Sequence, residues 1–430
     1  MLITWLVAIF SLLSICPRNE PVRLIVLVVL AVLLLLLFFN KQPDIRSLIV
    51  VFVLIRLPFL FSDPLLSDDV FRFQWDADVV RQNISPYSFL PSDLLNQNGF
   101  SSELFFKLNS QEYYSVYPAV MQSLFQAAKV LPSLLEFVFR LKIIYFITEL
   151  LLFIYIVFSS RTKQWFVKKF YFLSLLPIVV LEGLGNLHFE VLMMYLFFCA
   201  FIFYQNKKAL SGLKTGVILA LSVFTKLTVL PLLVLFVEKS KRSIWLCFAF
   251  ASTSILFFMP FIDQNSMRAL ESFELYFGSF EFNASLYFIV RYLGFEMVGY
   301  NIIETYGIVF KTVLVLFGVF ILIQSILFDG KNQKRLMALL NAFFLLYCFA
   351  NPTLHPWYII VPLFLSAFTH SYIWIIWSVT IYFSYFFYID NAQIEWWLYA
   401  EYGILFIALL VIKKLLPNKI RFFLTKGEIQ

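Results

Sequence analysis

Acidic side chains collect in the stretch "LLSDDVFRFQWDAD", which directly follows an apolar run. Asp68 and Asp69 are adjacent, and Asp76 follows directly after Trp75. In a helix, Asp69, Arg72 and Asp76 would share one face, at positions i, i+3 and i+7. A carboxylate flanked by apolar rings is suited to accept a proton from a hydroxyl group, and a neighbouring arginine is suited to bind phosphate. The spacing therefore predicts a general base with an anion-binding partner.

A simpler interpretation of these residues is the solvated start of a helix. Ser67 would cap that helix, and Asp68 and Asp69 in the first turn would favour the helix dipole. Aromatic rings such as Trp75 are also common at membrane interfaces. This interpretation explains one or two of the acids, but it leaves Asp76 and its arginine without a role.

A second polar group follows an apolar run further along the chain: Glu182, Asn186, His188 and Glu190. Three titratable side chains within nine residues favour a site, and a polar helix connection wetted by lipid headgroups is the alternative. His188 and Glu190 are candidates to position an acceptor. Glu190 could also help Asp68 or Asp69 to hold a divalent cation, although the spacing is no recognised metal motif.

Two cations lie inside apolar segments. Lys226 stands in "FTKLTVLPLL", and a charge at the centre of a membrane helix costs at least ~2.5 to 3.5 kcal/mol. Lys226 either extends its amine to an interface or meets a phosphate in a cavity. Arg56 raises the same question, with a nearby acid as its other candidate partner.

A third polar group, His355, Trp357 and Tyr358, follows an Asn-Pro pair. Trp and Tyr at such a position are often interface anchors. The alternative is that they contact a sugar or a phosphate. Arg291 is a further phosphate candidate with little support of its own.

The elements that position these groups are membrane helices. Of the 430 residues, 61% are hydrophobic and 14% are charged, and the mean hydropathy is +0.86. No water-soluble domain of this size hides so much apolar surface in one core. A helix needs roughly 20 apolar residues to span the bilayer, and the apolar runs predict about 12 to 14 such helices. Residues 212–237 form either one long helix or two short ones meeting near Lys226.

The charge distribution predicts the orientation of these helices. Basic residues collect in alternate short loops, which the positive-inside rule places in the cytoplasm together with both termini. These loops account for the net charge of +7, and no basic stripe remains for binding nucleic acid. These basic residues are Lys41, Arg46, Arg161, Lys163, Lys168, Lys169, Lys207, Lys208, Lys239, Lys241, Arg242, Lys331, Lys334, Arg335, Lys413 and Lys414.

Two long polar stretches then fall on the outer face, and residues 1–430 form a single membrane domain. Residues 62–136 carry nine acidic and four basic side chains, and residues 263–305 are rich in aromatics. Loops of this length inside a compact protein are usually functional. The first stretch contains an apolar pattern near residues 116–128 that predicts an amphipathic helix lying on the outer membrane surface. The four cysteines stand singly, so we expect no disulfide framework.

The sequence resembles a known family at several motifs in the same order between residues 45 and 370. "DDVFRFQWDADVVRQNISPYSFLP" is similar to the first outer loop of bacterial polyprenyl-phosphate-dependent mannosyltransferases of the GT-C class. "LNSQEYYSVYPAVMQSLF", "LEGLGNLHFEVLMMYLF", "GLKTGVILALSVFTKLTVLPLLVLF" and "NPTLHPWYIIVPLFL" resemble later motifs of that family. The family's W-D-G and Y-P-P patterns differ here, with Ala77 and Ala119 in the last position.

The resemblance implies an all-α GT-C glycosyltransferase of the bacterial inner membrane, with its active site facing the periplasm. It implies transfer of a hexose, most simply mannose, from a polyprenyl-phosphate donor to a hydroxyl of a lipid or glycan acceptor, with inversion. Asp68 would be the base and Asp69 its rival. No cofactor is certain, and a divalent cation is left open. The substrate-binding residues would be Arg72, Trp75, Asp76, Tyr87, Tyr117, Glu182, Asn186, His188, Glu190, Lys226, His355, Trp357 and Tyr358.

Other classes of membrane protein share this topology. A transporter or flippase of lipid-linked sugars would spread ionisable residues through both halves at mid-membrane depth. This sequence concentrates its acids in the outer loops instead. A polymerase or ligase of lipid-linked glycans would centre on arginines in an outer loop rather than on paired aspartates.

Overall fold

The structure is a computed structural model that describes residues 1–97, 99–129, 133–159, 161–206, 208–272, 280–328, 332–369, 371–389 and 394–415. These residues form helices, with one isolated β-bridge between Phe282 and Thr353 and no named strand in the described ranges. The all-α class is therefore confirmed. The α-helices are α1 (Leu2–Ser14), α2 (Pro21–Asn40), α3 (Ile45–Leu54), α4 (Leu57–Leu60), α5 (Asp69–Arg81), α6 (Pro91–Leu94), α7 (Ser102–Phe106), α8 (Ala119–Ala128), α9 (Leu134–Phe158), α10 (Gln164–Leu175), α11 (Glu190–Tyr204), α12 (Ala209–Thr225), α13 (Lys241–Phe258), α14 (Ser285–Val298), α15 (Ile303–Leu327), α16 (Gln333–Ala350), α17 (Ile360–Leu365), α18 (Ile373–Thr380) and α19 (Ile394–Leu415).

Tighter or wider helical turns interrupt several apolar segments. A π-helical segment, Val179–Gly185, precedes α11, and 3-10 helices extend or replace α-helix elsewhere. Such turns change the direction of the backbone and often occur at functional sites. The 3-10 segments are Leu227–Phe236, Met259–Phe261, Ser266–Arg268, Pro356–Ile359 and Ile381–Tyr388.

Helices long and apolar enough to cross a membrane number four among the described residues. They are α2, α9, Lys241–Phe261 and α15. The π-helical segment and α11 would make a fifth, bent by 105° at its break. Most of the other predicted runs contain shorter apolar helices, and two of them are interrupted at a charged residue. The chain is polytopic as predicted, with fewer full-length spans than the apolar runs alone indicate.

One of these interruptions lies at Arg56. The predicted span over residues 48–61 is divided there into α3 and α4. Arg56 is fully buried, and its Nε and Nη2 donate to the two carboxylate oxygens of Glu149 at 3.0 and 2.6 Å. A further hydrogen bond joins Nη2 to the carbonyl of Ser174 at 2.9 Å. The charge in the apolar layer is therefore neutralised by a bidentate partner.

Another interruption lies at Lys226, where residues 212–237 form two helices rather than one. The backbone of Lys226 is extended, with φ −156° and ψ 134°, between α12 and Leu227–Phe236. Helix α12 packs closely on α13. Gly212 and Gly216 permit this approach, because a Cβ at either position would lie under 3.0 Å from a backbone carbonyl of α13.

The first outer stretch folds around a small core of its own. Trp75 is buried there and packs against Phe100 and Phe105, with ring centroids 5.1 and 5.9 Å away. The predicted amphipathic helix is α8. Its buried residues pack on α5, α9 and α12, so it lies against protein and not on the membrane surface alone.

Candidate functional site

The paired aspartates stand at the start of α5. Asp68 is the N-cap residue, one position later than the predicted cap at Ser67, and its side chain makes no capping hydrogen bond. Asp68 Oδ2 lies 2.7 Å from Nη1 of Arg18. Asp69 accepts a hydrogen bond of 2.9 Å from Nδ2 of Asn109 in the outer loop. The two neighbouring acids therefore have different surroundings.

Sequence reasoning missed Arg18. It lies in the turn between α1 and α2, and its guanidinium also lies over the ring of Tyr388, 4.7 Å from the centroid. The available signal was a charge in a short turn between two apolar helices. Nothing in the sequence indicated that this turn meets Asp68.

The second polar group lies at the bend between the π-helical segment and α11. Glu182, His188 and Glu190 are buried there. Glu182 Oε1 accepts a hydrogen bond of 3.2 Å from the hydroxyl of Tyr385, and Glu182 Oε2 lies 3.6 Å from Nε2 of His188. Tyr385 and Tyr388 belong to the same 3-10 segment. This segment therefore connects the Arg18 and Asp68 pair with Glu182.

Asn186 fixes the bend to the start of the acidic loop. Its Oδ1 accepts from the backbone N–H of Leu66 at 2.9 Å, and its Nδ2 donates to the carbonyl of Leu181 at 2.8 Å. The hydroxyl of Tyr145 donates to the carbonyl of His188 at 3.1 Å. Asn186 therefore acts on the backbone and places the bend beside the segment that leads into Asp68.

Lys226 joins this group from the break between α12 and the following 3-10 helix. Its amine lies 3.1 Å from Oε1 of Glu190 and 5.9 Å from the ring centroid of Tyr117. The hydroxyl of Tyr87 donates to the carbonyl of Tyr117 at 2.8 Å, so Tyr87 supports the Tyr117 backbone. The predicted cation is thus brought to the acids across the helix break.

Three aromatic rings close the other side of the group. His355 and Trp357 stack at 4.3 Å with an angle of 3°, and His188 stacks on Trp357 at 3.6 Å. Tyr358 meets His355 edge-on at 5.6 Å. Burial and the charge of Lys226 lower the pKa of His355 to about 3. Its imidazole is therefore neutral near pH 7, with one N–H to donate.

Several buried polar atoms of this group have no hydrogen-bond partner in the described part of the chain. They are Glu182 Oε2, both ring nitrogens of His188 and Glu190 Oε2. Buried polar atoms in proteins are nearly always hydrogen-bonded, so such a concentration calls for an explanation. A bound molecule rich in hydroxyl groups would supply the missing partners.

The structure gives other predicted site residues packing or structural partners. Arg72 and Asp76 form a buried ion pair at 2.8 Å, and Arg72 also donates to the carbonyls of Ser110 and Tyr113. Ser115 and Gln122 both donate to Asp76 and also contact the Tyr117 backbone, so the pair is linked to the residue beside Lys226. Trp75 has no such link among the contacts of the described residues. Their role in substrate binding stays a prediction.

Two other phosphate candidates have acidic partners as well. Arg56 is bound to Glu149, and Arg291 lies 2.7 Å from Glu281. Among the described residues, no group of three His, Cys, Asp or Glu side chains is arranged to hold a metal ion. Asp68, Asp69 and Glu190 each face a different partner. The divalent cation stays a prediction.

A comparison with protein families identifies the chain. The family model of the MptA_B family, described as alpha-(1->6)-mannopyranosyltransferase, N-terminal domain, matches residues 21–239, just over half of the sequence. The chain belongs to this mannosyltransferase family. No curated protein and no solved structure gave a match.

The match confirms the resemblance to mannosyltransferases. It covers some of the candidate site residues and leaves others outside. The matched residues of this mannosyltransferase include Asp68, Glu182, His188, Glu190 and Lys226. The histidine and aromatic residues at 355–358 lie beyond the match, and Arg18 lies before it. The polar group is therefore built from the family's N-terminal domain together with segments on both sides of it.

Proposed function

We propose that this mannosyltransferase moves a mannosyl group from a polyprenyl-phosphate donor to a hydroxyl acceptor. The reaction takes place on the non-cytoplasmic face of the membrane, by a single displacement that inverts the anomeric carbon. Asp68 is the general base. The observation that carries this proposal is the group of unpartnered buried polar atoms on Glu182, His188 and Glu190, which contacts connect to Asp68.

The chemistry needs few protein groups, because a glycosyl phosphate already has a good leaving group. The acceptor oxygen forms a bond to the anomeric carbon while the bond from that carbon to the phosphate oxygen breaks. The acceptor proton passes to the carboxylate of Asp68, and the bonding electrons leave with the phosphate. Lys226 supplies a positive charge for the departing phosphate. Asp69 is held by Asn109 and has a supporting role in the loop.

The family's linkage restricts the donor further. An α-linked product formed by inversion requires a donor whose sugar is β-linked to the phosphate. A 1→6 linkage requires a primary hydroxyl on the acceptor, which a mannose-containing lipid or glycan provides. The ring faces of Trp357 and His355 are suited to contact the apolar face of a sugar.

The location follows from the charge pattern. The alternation of basic loops with the acidic stretch along the chain indicates that they face opposite sides of the membrane, and the positive-inside rule assigns the basic loops to the cytoplasm. We therefore expect a multi-pass protein of a bacterial inner membrane that works on the periplasmic side.

Sugar transfer in proteoliposomes tests this function. Purified wild type, Asp68→Asn and Asp69→Asn are offered a panel of polyprenyl-phosphate sugars and a membrane lipid extract. Wild type should transfer mannose, and Asp68→Asn should lower kcat by about 10² to 10⁴, the usual contribution of a general base. Asp69→Asn should have the smaller effect.

The same assay separates the rival function. A transporter or flippase would move lipid-linked sugar across the liposome membrane without forming a new glycosidic bond. Movement of this kind in wild type and both variants, with no transferred sugar, contradicts the proposed function. A larger loss in Asp69→Asn than in Asp68→Asn assigns the base to Asp69 instead.

A further inference from the structure

The turn between α1 and α2 holds Arg18 against the proposed base. Nη1 of Arg18 lies 2.7 Å from Oδ2 of Asp68. The backbone N–H of Arg18 donates to the carbonyl of Leu65 at 3.3 Å. The turn is therefore attached both to the side chain of Asp68 and to the segment that leads into it.

A third contact fixes the guanidinium itself. Its central carbon lies 4.7 Å from the ring centroid of Tyr388, which is a favourable cation–π distance. Tyr388 ends the 3-10 segment Ile381–Tyr388, and α2 packs against that segment. The helices α1 and α2 with their connecting turn form the N-terminal hairpin. Arg18 in this turn is thus in contact with the segment Ile381–Tyr388, near the other end of the chain.

The closest contact of the ion pair is at Oδ2 of the carboxylate. Among the residues that the structure describes, neither oxygen of Asp68 accepts a hydrogen bond from a residue other than Arg18. A general base needs one oxygen with a free lone pair directed at the acceptor hydroxyl. The arrangement provides it, because holding Oδ2 fixes the direction of Oδ1.

We propose that Arg18 is a positioning residue for sugar transfer, an inference that rests on the proposed function. Arg18 acts through Asp68, whose carboxylate it holds in the orientation that receives the acceptor proton. Small displacements of a reacting group cost large factors in rate. Arg18 precedes the region matched by the family model, so the turn before α2 supplies a positioning residue that lies outside this match.

A purely structural role for this ion pair is disfavoured by its exposure. The side chains of Arg18 and Asp68 are 31% and 39% exposed. Ion pairs with this much solvent contact add little to folding stability. Removal of Arg18 should therefore change catalysis and leave the folded protein intact.

The test measures transfer by the full-length protein in proteoliposomes with a polyprenyl-phosphate mannose donor. Wild type is compared with Arg18→Ala, Arg18→Lys and the matched control Arg23→Ala. Arg23 belongs to the same hairpin and pairs with the exposed Glu20. We expect Arg18→Ala to lower kcat by about tenfold to a hundredfold, with the donor KM unchanged. Arg18→Lys should retain part of the rate, and Arg23→Ala should behave as wild type.

Added guanidinium ion gives a readout that a structural role would not produce. It should restore part of the kcat of Arg18→Ala, and it should not restore Asp68→Asn, which lacks the carboxylate to be held. Thermal unfolding of all variants accompanies the assay.

The outcomes are distinguishable. Wild-type kcat in Arg18→Ala overturns this inference alone. A lowered unfolding temperature, with no rescue by lysine or guanidinium, assigns Arg18 to folding and also overturns it. Absence of transfer by wild type overturns the proposed function, and this inference with it.

Discussion

Lys226 and Glu190 form an ion pair at 3.1 Å, and in the proposed function Lys226 receives the phosphate of the donor. If Lys226 receives the carrier phosphate, Lys226→Met should raise the donor KM by about tenfold to a hundredfold, since a hydrogen bond to a charged group is worth about 1.5 to 3 kcal/mol. Steady-state transfer assays with varied donor measure this. Lys214→Met is the control, because Lys214 lies on the same helix α12 near Phe203.

This variant leaves Glu190 buried without its cation, so lost stability has to be separated from lost binding. The double variant Lys226→Met/Glu190→Gln removes the uncompensated charge. A donor KM that returns to the wild-type value in the double variant contradicts phosphate binding by Lys226.

The pair of Arg56 and Glu149 predicts a large effect on stability. Removal of one partner of a buried pair leaves an uncompensated charge, which costs about 3 to 5 kcal/mol. Glu149→Leu should lower the free energy of unfolding in detergent by this amount, and Arg56→Met/Glu149→Leu should recover much of it. The exposed pair of Arg140 and Glu136 is the control, and Glu136→Ala should change stability by no more than about 0.5 kcal/mol.

At the residue scale, the sequence predicted which acidic and histidine side chains lie together better than it predicted their partners. Spacing placed Glu182, His188 and Glu190 in one group, and the structure brings them together. The spacing of Arg72 and Asp76 predicted that they share a helix face. The structure shows that they pair with each other inside the outer loop. Arg18 and Asp68 belong to different elements and meet through tertiary packing, about which local periodicity contains no information.

At the scale of the elements, the close pair α12 and α13 depends on glycine. Gly216→Ala should lower the free energy of unfolding by about 1 to 3 kcal/mol, because its Cβ would lie under 3.0 Å from the carbonyl of Leu246 and force the helices apart. Denaturation in detergent measures the change.

Gly318 in α15 provides the matched control. A Cβ there would meet only Phe343, at 3.9 Å, so Gly318→Ala should raise stability by roughly 0.5 to 1 kcal/mol through its better helix propensity. Equal effects of the two substitutions would show that the packing of α12 on α13 is not limiting.

The apolar runs predicted where helical segments lie, and they did not predict where these segments bend. Hydropathy is an average over a window, so a single Arg56 or Lys226 barely changes it. In the folded chain Arg56 and Lys226 both lie at a break between two helices, and each pairs with an acid of another helix. The predicted alternative of two helices meeting at Lys226 is the one that the structure shows.

At the scale of the whole molecule, the charge pattern predicts which loops are outside. In a variant whose four native cysteines are replaced, Glu103→Cys and Arg161→Cys place single thiols at exposed positions that the charge pattern predicts to lie on opposite sides of the membrane. A membrane-impermeant maleimide added to intact cells should label position 103 and not position 161. The reverse labelling would invert the orientation and move the site to the cytoplasm.

The contacts of Asp68 also have a consequence for biogenesis. A ribosome delivers Arg18 and the acidic loop early, whereas Tyr388 leaves it close to the end of synthesis. The contact between Arg18 and Tyr388, which holds the partner of Asp68, can therefore form only after the last helices are inserted. A nascent chain halted midway already contains Asp68 and Arg18, but it lacks the Tyr388 ring that lies against the Arg18 guanidinium.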